Sequence, residues 1–180
     1  MSNNIETVFA TFTPADADRI TGVSGLQQRK LRQFGYLKSG GGGWTRFSLD
    51  EVARLLIIES CRKSGVPPAT GSLIASIGRA TEHLLSFAVE MKGAVSGTEL
   101  LGSRKLPLSL PREKQRRFLV VYGIGEQDYI FTNDLRKLHY SKAEIGAAVL
   151  VDLKANASRL VDGAGGPFVT IGIKSERGVA

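Results

Sequence analysis

The sequence predicts an α+β fold, helical in its first half and strand-rich in its last third. Three observations carry this. Capping signatures at Thr13, Ser24 and Ser48 each open a helical pattern; four consecutive glycines separate two short apolar and aromatic segments; and beyond residue 117 the apolar residues fall in short branched or aromatic runs.

Thr13, with Pro14 behind it and Asp16 in the first turn, predicts a short helix from Pro14 to about Thr21, ended by Gly22. Ser24 with Gln27 three residues on is a capping box opening a second helix through Leu26, Arg29, Lys30 and Phe34, which stops near Gly35. Two short helices joined by a glycine-containing turn make a helix-turn-helix. The four glycines before Trp44 lie between Tyr36-Leu37 and Trp44-Thr45-Arg46-Phe47, so they read as a hairpin tip between two short strands, and residues 38–47 are expected to form a wing. Ser48 and Glu51 cap a third helix with a broad apolar face, ending near Gly65. Pro67 and Pro68 start a fourth, with Leu73, Ile74, Ile77, Leu84, Leu85 and Ala88 at helical spacing.

Periodicity then lapses. Residues 93–116, with their glycines, Pro107 and Pro111, are expected to be a basic linker between a domain at 12–92 and a small α/β domain at 117–180. In the latter, Arg117–Gly123 and Tyr129–Thr132 read as strands. Ala147–Leu153 is a short branched run that periodicity does not divide between a buried strand and the start of one helix; a strand leading into a helix over Lys154–Val161 is the expectation, with Pro167–Ile173 as a last, edge strand. Gly123-Ile124-Gly125 lacks the third glycine of a dinucleotide fingerprint and is expected to be a turn.

A net charge of +7 suggests a polyanionic partner, and its distribution is more specific than its size. From Arg19 to Leu49 there are six basic residues (Arg19, Arg29, Lys30, Arg32, Lys38 and Arg46) and no acid; a second basic stretch runs from Arg104 to Arg117. No apolar run reaches the roughly 20 residues of a membrane span, and the first residues lack a signal-peptide pattern, so a cytoplasmic, nucleoid-associated protein is expected. The lone Cys61 sits in an apolar helical pattern as a buried thiol. His83 and His139 have no ligand-type neighbours at metal spacing, so no metal, cofactor or catalytic residue is expected.

Gly22-Val23-Ser24 leading into an arginine-bearing helix, Gly35-Tyr36-Leu37 closing it, and Gly43-Trp44-Thr45-Arg46-Phe47-Ser48 before the next helix together resemble the MerR-type winged helix-turn-helix family. The likeness covers roughly residues 12–90 and includes Leu55, Ile58 and Gly65-Val66. The chain has Lys30 and Leu31 where that family carries paired tyrosines, and no long C-terminal coiled coil.

The resemblance implies a sequence-specific transcriptional regulator that binds double-stranded DNA with a recognition helix at about 24–34 in the major groove and the wing on the flanking backbone or minor groove. The residues expected to touch DNA are Ser24, Gln27, Gln28, Arg29, Lys30, Arg32, Lys38, Trp44 and Arg46. Gln27 and Gln28 are expected to help choose the sequence, and Trp44 to brace the wing. Residues 117–180 are expected to supply a homodimer contact or to take a protein partner or small-molecule effector. Three rival readings are an excisionase-like or architectural DNA-binding factor, a protein-interaction adaptor without specific DNA binding, and a small enzyme housed in residues 117–180.

Overall fold

A computed structural model describes residues 5–37, 46–123, 128–137 and 148–174. It is a mixed α+β structure with six α-helices and two three-stranded sheets among the described residues. The first three helices begin where local chemistry dictates. α1 (Pro14–Thr21), α2 (Gly25–Gln33) and α3 (Leu49–Lys63) each carry a reciprocal capping box, from Thr13 and Asp16, Ser24 and Gln27, and Ser48 and Glu51. Each box satisfies backbone N–H groups that a helix start leaves without an internal partner.

α3 is the centre of the packing. Its Leu55, Leu56 and Ile57 are fully buried, and it touches α1, α4 (Pro68–Ser76), α5 (Ala80–Val89) and α6 (Leu153–Ala164). Cys61 is buried on the same helix, and that burial pushes its thiol pKa up to about 11.

The single fourth helix expected from Pro68 to Ala88 is two helices. The chain breaks at Ile77, which is extended, and Gly78, whose φ is +51°. A Cβ on Gly78 would lie 3.0 Å from the Phe131 ring, so a glycine both turns the chain and admits that aromatic side chain. Apolar periodicity continues across the break, which is why the sequence reads as one helix.

β1 (Ile5–Phe9) had no sequence signal. It runs antiparallel to β6 (Val169–Ile173), with Ile5 opposite Ile173 and Phe9 opposite Val169, while β2 (Val95–Ser96) lies parallel on the other side of β6. β6 is therefore the central strand of its sheet and not an edge. The second sheet has the order β4 (Tyr129–Thr132), β3 (Phe118–Val121), β5 (Val149–Asp152), all antiparallel. Leu119, Phe131 and Val151 are in register on its core face; the opposite face carries Ile130 and Leu150, both exposed.

One hydrophobic cluster runs from Phe12 through α3 and α5 to Leu119, Leu160 and Val169. The packing thus joins the two expected domains into one body. α6 extends beyond Val161 to Ala164 and lies against α1, where a Cβ on Gly163 would come 2.8 Å from the Ile20 Cα. Polar groups reinforce this seam: Arg159 Nη2 donates to Thr21 O at 2.8 Å, Ser60 Oγ donates to Asn156 Oδ1 at 2.8 Å, and Arg19 donates to the Gly163 carbonyl.

Nor is 93–116 a free tether. It contributes β2 and a 3-10 turn at Thr98–Leu101. Ser86 Oγ accepts from the Leu110 amide at 2.7 Å, and the buried Gln115 donates to Ser86 Oγ at 2.9 Å and Glu90 Oε1 at 2.6 Å. Most of the expected wing, the turn beyond Gly123, Ala147, His139 and the tail after Lys174 lie outside the described residues.

Candidate functional site

α2 is short, and among its residues only Gln28 and Leu31 are buried. Leu31 seats the helix on the core. Gln28 is only 2% exposed, and its Nε2 donates to Pro14 O at 2.9 Å and to Val23 O at 2.8 Å. One amide thus ties the start of α1 and the inter-helix turn to the middle of α2. The expectation that Gln28 is an exposed reader is corrected: it positions the helix. Its spacing of three from Leu31 puts both on one face, a signal present in the sequence but outweighed by its polarity.

Ser24 and Gln27 are occupied with each other. Gln27 Oε1 accepts from the Ser24 amide at 2.9 Å and from its Oγ at 3.1 Å, which fixes the entry into the helix. Arg29 and Lys30 are exposed. Together with Leu26 and Gln33, also exposed, they stand at i, i+3, i+4 and i+7 and so form one stripe along the outer face of α2. Sequence reasoning named the two cations but missed Leu26 and Gln33, although their helical spacing from Arg29 was available to find them.

Arg32 is half-buried. Its guanidinium lies over the Phe47 ring, 3.9 Å from the centroid, and Nη2 donates to Arg46 O at 3.2 Å. Phe47 is itself pinned by a two-way backbone bridge to Phe12, at 2.9 and 2.7 Å. The segment returning to α3 is therefore locked beside α2, and Arg46 stands exposed there with Nη1 3.4 Å from Thr11 Oγ1. Tyr36 and Leu37, expected to be a strand, form a bend in which Leu37 is buried. Lys38 and Trp44 lie outside the described residues.

Arg29, Arg32, Gly25, Gln28, Pro14 and Phe47 surround a concavity of about 260 Å³ at the start of α2. Arg29, Lys30 and Arg46 make no ion pair among the described residues; the ion pairs lie elsewhere, as at Arg19–Asp16, Arg62–Glu59 and Arg117–Asp152. The stretch from Arg19 to Leu49 contains no acid, so the segment that includes α2 carries net positive charge.

His83 belongs to the core and not to this site. Burial and the nearby Arg116 and Arg79 hold its pKa below the ordinary value, and its ring packs 4.8 Å from that of Phe131. No group of three or more metal-ligating side chains occurs among the described residues. No helix described is long and apolar enough to cross a membrane. No protein-family model matches the chain, and no curated protein sequence matches it.

Proposed function

We propose that the protein is a sequence-specific DNA-binding regulator of transcription and that α2 is its recognition helix. The observation that carries this reading is the exposed stripe Leu26, Arg29, Lys30 and Gln33 along a short helix, in which Arg29 and Lys30 make no ion pair among the described residues. Arginine or lysine can pair with the guanine edge, glutamine with adenine, and an apolar side chain with the thymine methyl group, all in the major groove. In this reading Arg46, and Arg32 beside the concavity at the start of α2, would meet the phosphate backbone.

In this reading the α1–α2 pair is a helix-turn-helix, the segment ending at Phe47 is the wing beside it, and the MerR-type likeness of residues 12–90 describes the DNA-binding part. One short helix reads few base pairs, so the protein would work as a homodimer on paired half-sites. The exposed Ile130 and Leu150 on the outer face of the second sheet offer a place for that contact.

The deciding experiment is a fluorescence-anisotropy titration of the full chain with a duplex from the protein's own upstream region and with a random duplex of equal length. The upstream duplex should bind more tightly by about a thousandfold or more. Substituting Arg29 and Gln33 should erode that preference, and sedimentation should show two copies per site. Equal affinity for the two duplexes would remove the specific reading, and no binding to either would remove DNA as the partner.

A further inference from the structure

Between α2, α3 and the start of α4 lies an open groove of about 400 Å³, walled by Leu31, Phe34, Tyr36, Ile58 and Pro67. A second trough of about 500 Å³ shares Phe34, Tyr36 and Ala69 with it and extends along α4 to Leu73 and Ser76. Phe34 is 64% exposed and Leu73 53%, so two large apolar side chains along this surface are left in water.

The charges around it are one-sided. Lys30 and Arg62 stand at the first groove and Arg54 at the second. Among the described residues the sole acid in either lining is Glu59, 2% exposed and already held by Arg62 through bonds of 2.6 and 2.8 Å, with Lys63 at 3.8 Å. Lys30 makes no ion pair among the described residues, and Arg54 Nη1 donates to Ser76 Oγ at 2.7 Å, which leaves its charge uncompensated.

We propose that this groove is a docking site for an acidic amphipathic helix of a partner protein. The partner's apolar side chains would cover Phe34, Tyr36 and Leu73, and its carboxylates would lie beside Lys30, Arg54 and Arg62. A helix presents anchors at i, i+3, i+4 and i+7, which suits two contiguous open troughs. A small molecule would be poorly served by such a surface, since ligand pockets enclose about 70–90% of their occupant. The inference stands without the DNA-binding reading, because the groove chemistry is argued from α3 and α4 as much as from α2.

The test uses the full chain without DNA. The probe is a fluorescein-labelled peptide of about 15 residues, with Leu and Phe at i, i+3, i+4 and i+7 and Glu or Asp elsewhere; its control has Lys in place of every acid. The acidic peptide should bind saturably and the Lys peptide should not. Leu73→Glu and, separately, Arg54→Glu should each weaken binding by about tenfold or more, with the parent's circular dichroism and unfolding midpoint retained. Leu73 and Arg54 are both outside the candidate DNA-contacting set.

The proposal is overturned if the acidic peptide does not bind, if the Lys peptide binds as well, or if both variants bind like the parent. It is also overturned if dodecanoate saturates the groove while the peptide does not, which would make it a small-molecule site. Peptide-free self-association abolished by Leu73→Glu would assign the face to a second copy of this chain and overturn the proposal too.

Discussion

α2 and α6 are both short helices opened by a side-chain cap, Ser24 in one and Asp152 in the other, yet the molecule uses them in opposite ways. α6 buries Leu153, Asn156, Ala157 and Leu160 and is enclosed by α1, α3 and α5. α2 buries one apolar side chain and one amide, and turns Leu26, Arg29, Lys30 and Gln33 outward. The difference teaches that helix-forming chemistry does not distinguish architecture from display. The surroundings do: α6 is packed on three sides, whereas α2 is gripped along one narrow line and leaves its other face open to solvent.

The comparison breaks most completely by deletion. A chain ending at Gly97 loses β6, which pairs with both β1 and β2, along with α6 and the second sheet. Such a fragment should show no cooperative thermal transition by circular dichroism, although it retains every residue of α2. A folded fragment would mean that the N-terminal helices form an independent core after all.

Within the intact chain, Leu160→Ala empties a fully buried position of α6 and should cost about 2–5 kcal/mol in urea unfolding. Gln28→Leu should cost less, about 1–3 kcal/mol, since it removes the amide that serves the carbonyls of Pro14 and Val23. If α2 reads DNA as proposed, the change should also blunt discrimination between sites, because the orientation of the helix is then set by Leu31 and the cap alone.

His83 gives a pH-dependent measure of the core that α6 completes. The folded state holds its pKa below the ordinary 6.5, chiefly through burial and then through Arg116 and Arg79. On acidification the unfolded chain therefore takes up the proton first. Stability from neutral His83 should be intact above about pH 6.5 and decline as the pH falls below it, and His83→Gln should flatten that part of the profile.

The smallest effect on stability is expected at the displayed helix. Arg29→Ala should leave the unfolding free energy within about 0.5 kcal/mol of the parent, while the slope of log K against log salt for DNA binding falls by about 0.9. A large loss of stability would place Arg29 among the structural residues and weaken the contrast with α6.

Much of the candidate site was legible because it rests on short-range chemistry. Ser24 and Gln27 announce the start of α2 by their spacing, and the acid-free basic run announces its charge. Gln28 was misread because its two acceptors are the carbonyls of Pro14 and Val23, and nothing in a residue's type says that a backbone carbonyl will fold against it. Leu26 shares a face with Arg29 by its helical spacing, but spacing does not say which face is open, and this apolar residue is 59% exposed. The break at Gly78 escaped notice because the reason for it, the Phe131 ring, lies in a strand more than fifty residues later.

By itself the sequence determined the three capped helices, the positions of β3 and β4, and a cationic stretch without acids, since caps, alternation and charge act between residues a few positions apart. Only the tertiary structure decided that β6 is a central strand clasped by the two ends of the first hundred residues, that α6 seals the core under α1, and that the face of α2 carrying Leu26, Arg29, Lys30 and Gln33 is the open one. Those outcomes depend on which surfaces meet across long stretches of chain, and the free energy of burial that selects among such meetings belongs to the whole core and to no single segment.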